Sequence, residues 1–156
     1  CMGFDLIGKN MDDSCQPGDP SPFGVSIVIS GRHYNSLNDY LEAMELPKNT
    51  IRFSCSNRHW HTIWGFLQYS TQNVSSSHKF IGTETDFKKG AINDGHFINE
   101  VLTNSIVTCC QKGIEDDLFD RYINEYSVSD KDKSNYLDMV AKFISFCKKS
   151  GGFYIF

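Results

Sequence analysis

Residues 51–67 read IRFSCSNRHWHTIWGFL and contain both tryptophans of the chain and two of its five histidines. The large apolar residues of the second half recur at i, i+3, i+4 and i+7: Trp60, Ile63, Trp64 and Leu67. This spacing predicts an amphipathic helix that begins near Asn57. Residues 51–53 alternate as a short strand does, and Ser54, Ser56 or Asn57 is the candidate N-cap. The pattern therefore indicates a strand leading directly into a helix.

Basic residues collect where this helix begins. Arg58 and His59 fall in its first turn, His61 follows, and Arg52 lies in the preceding strand. The first backbone N–H groups of a helix lack partners within the helix, so this end is suited to an anion or a phosphate group. We expect an anion pocket here.

The two tryptophans admit two interpretations. Trp60 or Trp64 could stack on a base or fill a pocket of a partner. At helical spacing, however, tryptophans more often belong to a helix face buried in the core. The sequence leaves both open.

No metal or cofactor is predicted. Cys55, His59 and His61 form C-x3-H-x-H, which matches no common zinc spacing, and helical residues two apart point about 200° away from each other. An alternative function is a metal-assisted hydrolase or phosphoesterase, because hydrolysis needs an activated water and a general base. Its candidate residues are Cys55, His59, His61, Asp94 and His96, although Asp94 and His96 read more simply as a helix cap and a first-turn residue. Whether the chain is an enzyme stays open, with binding favoured.

Composition limits the classes of function. The chain has 156 residues, 40% of them hydrophobic and 22% charged, as expected for a single globular domain. A net charge of −4 and no basic run argue against stable nucleic-acid binding. No apolar run is long enough to cross a membrane. Six cysteines without a regular framework favour buried, reduced thiols and a cytoplasmic location.

The predicted fold class is α+β, with four to five helices packed on a small mixed or antiparallel sheet. The sheet is expected to use strands at residues 3–8, 23–30 and 153–156, with a short edge strand at 79–82. Besides the helix after Asn57, helical patterns cover residues 36–44, 97–113, 114–126 and 137–149. The last of these has Lys148 and Lys149 in its final turn and Gly151 just past it, as a helix terminus should. Connections are expected at residues 9–21, 70–77, 86–94 and 127–133.

Several segments resemble a family of phage and prophage proteins that is usually left without a function. The family begins with a segment like MGFDLIG at residues 2–8, has an aromatic stretch of the form FRNNxWWWRPLW, and ends in a helix followed by SGGF. Here residues 53–64 (FSCSNRHWHTIW) take the aromatic position, NDG stands at 93–95 and SGGFYI at 150–155. The paired asparagines are replaced by Cys55 and Ser56, the arginine-proline pair by His61 and Thr62, and residues 23–50 look like an insertion. The resemblance implies a phage-encoded, cytosolic α+β protein that starts at Met2, and it supplies no catalytic residue.

The favoured function is a non-enzymatic binding protein with a possible role in counter-defence. Its partner would be a small anionic or nucleotide-like ligand or a host protein. The predicted ligand-binding residues are Arg52, Arg58, His59, Trp60, His61, Trp64 and Asp94. A further alternative is a homo-oligomeric interaction module, in which the aromatic strand at 153–156 pairs with another copy.

Overall fold

A computed structural model describes residues 3–11, 27–29, 32–34, 50–125 and 129–156. Its strands are β1 (Gly3–Met11), β2 (Ile27–Ile29), β3 (Arg32–Tyr34), β4 (Thr50–Ser56), β5 (His96–Ile98) and β6 (Phe153–Ile155). Its α-helices are α1 (Asn57–Asn73), α2 (Glu84–Gly90), α3 (Glu100–Glu115), α4 (Leu118–Glu125) and α5 (Asp130–Ser150), and a 3-10 turn covers Ser76–His78.

The main sheet has four strands in the order β4-β1-β6-β5, and every neighbouring pair is antiparallel. Strands β1 and β6 come from opposite ends of the sequence and pair at the centre. Two further backbone hydrogen bonds join Asp5 to Phe156, with N···O distances of 2.7 and 2.8 Å. Helices α1 and α5 both contact β1 and β4. The predicted α+β class is confirmed.

The core lies between this sheet and the helices, and aromatic rings fill much of it. Trp60 stacks on Phe4 of β1 and on Trp64, with ring centroids 5.5 and 5.3 Å apart. The edge of Phe143 from α5 meets Trp60 at 5.4 Å. Trp60 is 0% exposed and Trp64 is 2% exposed. The interpretation of the two tryptophans as a buried helix face therefore holds.

Both indole N–H groups find acceptors in helix α2. Trp60 Nε1 donates to the main-chain oxygen of Gly90 at 2.8 Å, and Trp64 Nε1 donates to that of Phe87 at 2.9 Å. The last carbonyl groups of a helix have no partner within it. The indole N–H groups of Trp60 and Trp64 therefore supply hydrogen bonds to two carbonyl groups in the C-terminal turn of α2.

Helix α1 begins where the sequence predicts and ends later. Ser56 is the N-cap, and its Oγ accepts from the backbone N–H of His59 at 3.2 Å. The connection predicted at 70–77 is wrong over its first four residues, because the helix continues to Asn73 and buries Ser70 completely. Gly113 of α3 lies against this last part of α1, since a Cβ at residue 113 would collide with the Ser70 hydroxyl. The glycine therefore leaves room for α1 to continue past Ser70.

The strand predictions need three corrections. Strand β1 continues to Met11, so the connection predicted at 9–21 is wrong over residues 9–11. Residues 27–29 are indeed a strand, but they pair with β3 in a separate two-stranded sheet instead of joining the main one. Residues 23–26 and 30, and the helix predicted at 36–44, lie outside the described residues. No strand forms at residues 79–82, where Phe80 is buried against Trp64 and Phe87.

Three of the predicted helix and loop boundaries are also wrong. Phe97 and Ile98 belong to strand β5, and α3 starts after them with Asn99 as its N-cap. The connection predicted at 86–94 contains α2, whose N-terminus has a capping box between Thr83 and Asp86. Helix α5 begins at Asp130 after the N-cap Ser129, so the loop predicted at 127–133 does not extend past that cap.

The C-terminal strand is an interior strand. β6 pairs with β1 on one side and β5 on the other, and Phe153 and Ile155 are fully buried. It therefore has no open edge for a second copy, so the strand pairing suggested for residues 153–156 does not fit this sheet. A homo-oligomer as such stays a prediction. No helix in the described part of the chain has both the length and the apolar character of a bilayer span.

We predict that Gly90→Ala destabilises the fold by about 1–3 kcal/mol, since a Cβ would overlap the Trp64 ring and overpack a close-fitting core. Urea unfolding followed by circular dichroism measures the change. Lys88→Ala on the same helix is the control; its pairing with Glu84 is solvent-exposed, so we expect a change within about 0.5 kcal/mol. Equal stability of the two variants would show that this packing is not a constraint.

Candidate functional site

A cleft of about 400 Å3 lies where helices α1, α4 and the start of α5 meet. We call it the Arg58 cleft. Its lining residues are Arg58, His61, Thr62, Gly65, Tyr122, Ile123 and Tyr136. Its volume is within the range of about 300–1,000 Å3 that small-molecule pockets span.

Helix α1 supplies one wall of the cleft through a second stripe of residues. Arg58, His61, Thr62 and Gly65 follow one another at i, i+3, i+4 and i+7. This stripe lies roughly opposite the tryptophan stripe on the helix. The burial of the tryptophans in the core therefore turns these four residues outward, toward α4.

Arg58 is the cation of the cleft. Its side chain is exposed, and its guanidinium carbon lies 5.9 Å from the centre of the Tyr136 ring, a cation–π distance. None of the ion pairs in the described part of the chain involves Arg58. Asp120, the acidic residue in the first turn of α4, pairs with Lys133 at 2.7 Å instead. The guanidinium is therefore available to a ligand anion.

The charge at the start of α1 is unusual for a helix. No acidic residue stands in its first turn, which contains Arg58 and His59. Basic groups at this end oppose the helix dipole, typically by about 0.3–1 kcal/mol for each charge. Residues that break a local rule in this way are often functional.

Tyr122 and Gly65 shape the floor of the cleft. The Tyr122 hydroxyl donates to the main-chain oxygen of Thr62 at 3.1 Å, and the Thr62 hydroxyl donates to that of Arg58 at 3.0 Å. A Cβ at residue 65 would collide with the Tyr122 hydroxyl. Glycine is therefore required for α4 to approach α1 this closely, despite its cost within a helix.

His59 has a supporting position beside the cleft. Its Nδ1 lies 2.7 Å from the capping hydroxyl of Ser56, and its ring meets the edge of Tyr136 at 5.3 Å. His61 lines the cleft, with its ring edge-on to Phe4 at 5.8 Å. Of the predicted ligand-binding residues, Arg58 and His61 both line the cleft. His59 packs against Tyr136, which forms part of one wall.

The remaining predicted ligand residues lie elsewhere. Trp60 and Trp64 are buried with their N–H groups bonded, so neither offers a ring face to a ligand. Arg52 in β4 alternates with Phe53, whose ring packs on α5, and so lies on the opposite face of the sheet. Asp94 pairs with Lys89 at 3.4 Å in the turn before β5. The structure does not bring these four to the Arg58 cleft.

The residues of the hydrolase alternative do not form one site. No group of three or more His, Cys, Asp or Glu side chains among the described residues is placed to hold a metal ion. Cys55 faces the core; burial raises the pKa of its thiol to about 12, and the nearby Asp5 carboxylate adds to this shift. A thiol of that pKa is almost entirely protonated near neutral pH and is a poor nucleophile.

The other described cysteines are also free and buried, as predicted: Cys109, Cys110 and Cys147. Burial raises the pKa of each of these thiols. They pack as small apolar groups within the core. Cys1 and Cys15 lie outside the described residues.

His96 pairs with Asp86 rather than forming a site with Asp94. Its Nε2 lies 3.1 Å from Asp86 Oδ1, and both side chains are mostly buried. Burial acts to raise the pKa of Asp86, but hydrogen bonds from the Thr83 backbone, the His96 ring and the Thr83 hydroxyl outweigh it and lower that pKa. The pair ties α2 to β5 and serves the fold.

Sequence reasoning missed five residues that line the cleft: Thr62, Gly65, Tyr122, Ile123 and Tyr136. Thr62 and Gly65 could have been found, because they share the helical spacing of Arg58 and His61. Tyr122, Ile123 and Tyr136 carry no such signal, since only the packing of α4 and α5 on α1 brings them there.

The fold and the cleft together define an α+β protein with a small pocket at the end of a core helix. Comparisons of the chain with protein-family models, with curated proteins and with solved structures found no match.

We predict that Asp86→Asn lowers stability at neutral pH and flattens the loss of stability on acidification. The lowered pKa means that the Asp86 carboxylate stabilises the fold above about pH 4, and that this contribution is lost as the pH falls through the pKa of the folded state. Urea unfolding at several pH values between about 3 and 7 measures the slope. Glu84→Gln is the control, because it removes an exposed carboxylate from the same helix without touching Thr83 or His96. Identical pH slopes for the two variants would contradict the assignment.

Proposed function

We propose that this chain is a non-enzymatic binding protein whose Arg58 cleft receives a small anionic ligand. The observation that carries the proposal is the guanidinium of Arg58, an exposed cation at the mouth of a cleft and without a carboxylate partner in the described part of the chain. Nucleotide-like compounds fit this description, because they join an anion to a compact body.

The surroundings of Arg58 support an anion. His61 lies one turn along the same stripe and lines the same cleft. The start of α1 adds the positive end of a helix dipole, which its own side chains do not neutralise. Among the described residues, no aspartate or glutamate lines the cleft. Its electrostatics thus favour a negative group over a neutral one.

Arg58 is also held in place before a ligand arrives. It rests over the ring of Tyr136, which is 5% exposed and packed against His59. A side chain ordered in advance loses less conformational entropy on binding. Arginine also binds phosphate and carboxylate through two parallel hydrogen bonds, which lysine cannot do.

Nucleic acid does not fit the cleft as a ligand. A polymer needs a track of cations along its backbone. The described residues that line the cleft include a single arginine, and the chain has a net charge of −4. We expect no stable nucleic-acid binding.

The biological setting in this proposal comes from the resemblance to phage and prophage proteins in residues 2–8, 93–95 and 150–155. Under it, the protein acts in the cytoplasm of an infected host and removes a small anion from use, as a counter-defence protein would. Plaque counts on host strains with and without a nucleotide-signalling defence would test this setting. Expression of the wild-type chain should raise them only where the defence is present, and Arg58→Ala should abolish the effect.

We predict that Arg58→Ala weakens binding of nucleotides by about 10- to 100-fold, the value of losing one or two hydrogen bonds to a charged group. Isothermal titration calorimetry of the purified protein with adenosine and guanosine phosphates measures the affinity. The control is Arg121→Ala, which removes an exposed arginine from α4 that does not line the cleft, and it should bind like the wild type.

Two outcomes would overturn this proposal. One is the absence of any binding of small anions by the wild type; recovery of a host protein in a pull-down would then point to that other class of partner. The other is binding that Arg58→Ala and Arg121→Ala weaken equally, which would place the ligand outside the cleft.

A further inference from the structure

We infer that the Arg58 cleft binds a ligand with one phosphate group on a compact body. Its selectivity depends on the phosphate and on the size of the body rather than on the identity of a base. This inference rests on the proposed function and specifies its ligand class. It follows from the charges that line the cleft, from its floor and from its volume.

The charges limit the number of phosphate groups. Among the described lining residues, Arg58 is the single lysine or arginine, and His61 is the other nitrogen base. One guanidinium can pair with one phosphate through two hydrogen bonds. A second and a third phosphate would meet no further lysine or arginine among these described residues. Extra phosphate groups would lose hydration there without gaining a partner, so they should not increase affinity.

The floor of the cleft explains why the identity of a base should have little effect on the affinity. Ile123, Tyr122 and Tyr136 are 1%, 4% and 5% exposed, so the floor consists of closely packed, largely apolar side chains. The hydroxyls of Tyr122 and Thr62 already donate to main-chain oxygens. A site that discriminates bases needs polar groups aimed at base edges. This floor instead provides apolar contact for any body that fits.

Gly65 sets the size of that body. A side chain at residue 65 would displace the Tyr122 hydroxyl from the carbonyl of Thr62 or push the ring into the cleft. Either movement would take space from the body of the ligand and leave Arg58, two turns earlier on the same helix, where it is. Loss of the body contact and loss of the phosphate contact can therefore be separated by substitution.

Calorimetry in magnesium-free buffer with inorganic phosphate, adenosine monophosphate, cytidine monophosphate and adenosine triphosphate tests the inference. We expect the two monophosphates to bind within about fivefold of each other and the triphosphate to bind no tighter than adenosine monophosphate. Inorganic phosphate should bind about tenfold or more weakly, because it lacks the body.

Two variants separate the two contacts. Gly65→Ala should weaken the binding of adenosine monophosphate by about fivefold or more, and it should change the affinity for inorganic phosphate by less than about twofold. Arg58→Lys, at an exposed position, should weaken the binding of both ligands alike because it keeps the charge and loses the paired hydrogen bonds. Circular dichroism and urea unfolding establish that each variant is folded.

The outcomes distinguish this inference from the proposed function. Tighter binding of the triphosphate than of the monophosphate, or a base preference beyond about tenfold, would overturn the inference and leave anion binding intact. So would a folded Gly65→Ala that weakens phosphate and monophosphate equally, or a Gly65→Ala that fails to fold together with an Arg58→Lys that spares inorganic phosphate. A wild type that binds no anion would overturn the proposed function itself.

Discussion

The rest of the structure depends on the two tryptophan N–H groups that bond to the end of helix α2. A buried N–H without an acceptor costs about 1–3 kcal/mol, so Trp60 and Trp64 can lie in the core only because Gly90 and Phe87 present carbonyl oxygens there. Helix α2 has seven residues, too few to be stable alone, and it gains its C-terminal partners from these indoles. The two helices therefore hold each other in place, and the rotation of α1 about its axis is set.

That rotation creates the cleft. Once the tryptophan stripe faces the sheet, the stripe that begins with Arg58 must face α4, and Gly65 lets Tyr122 approach until its hydroxyl reaches the carbonyl of Thr62. The core and the cleft are thus opposite faces of one helix. The packing that holds α1 in place therefore also fixes the position of Arg58 on its exposed face. A rigid helix positions a binding group more precisely than a loop does.

The errors of sequence reasoning share a physical cause. Phe97 and Ile98 are apolar neighbours that a helix or a strand can use equally well, and only their pairing with β6 decides for the strand. Residues 27–29 alternate as a strand should, but alternation does not say which strand will be the neighbour. The capping box of Thr83 and Asp86 is visible in the sequence, but the helix that follows is too short and too polar to show an apolar periodicity.

The sequence by itself determined the face and the start of α1, the terminus of α5 at the left-handed Gly151, and the gathering of cations at one helix end. These features depend on neighbours within a few residues, where spacing and capping chemistry carry the information. Only the tertiary structure decided that Tyr122 and Tyr136 complete the cleft, that Arg52 and Asp94 stay outside it, and that β6 is an interior strand. Such outcomes depend on which faces meet, and contacts between distant segments leave no periodic trace along the chain.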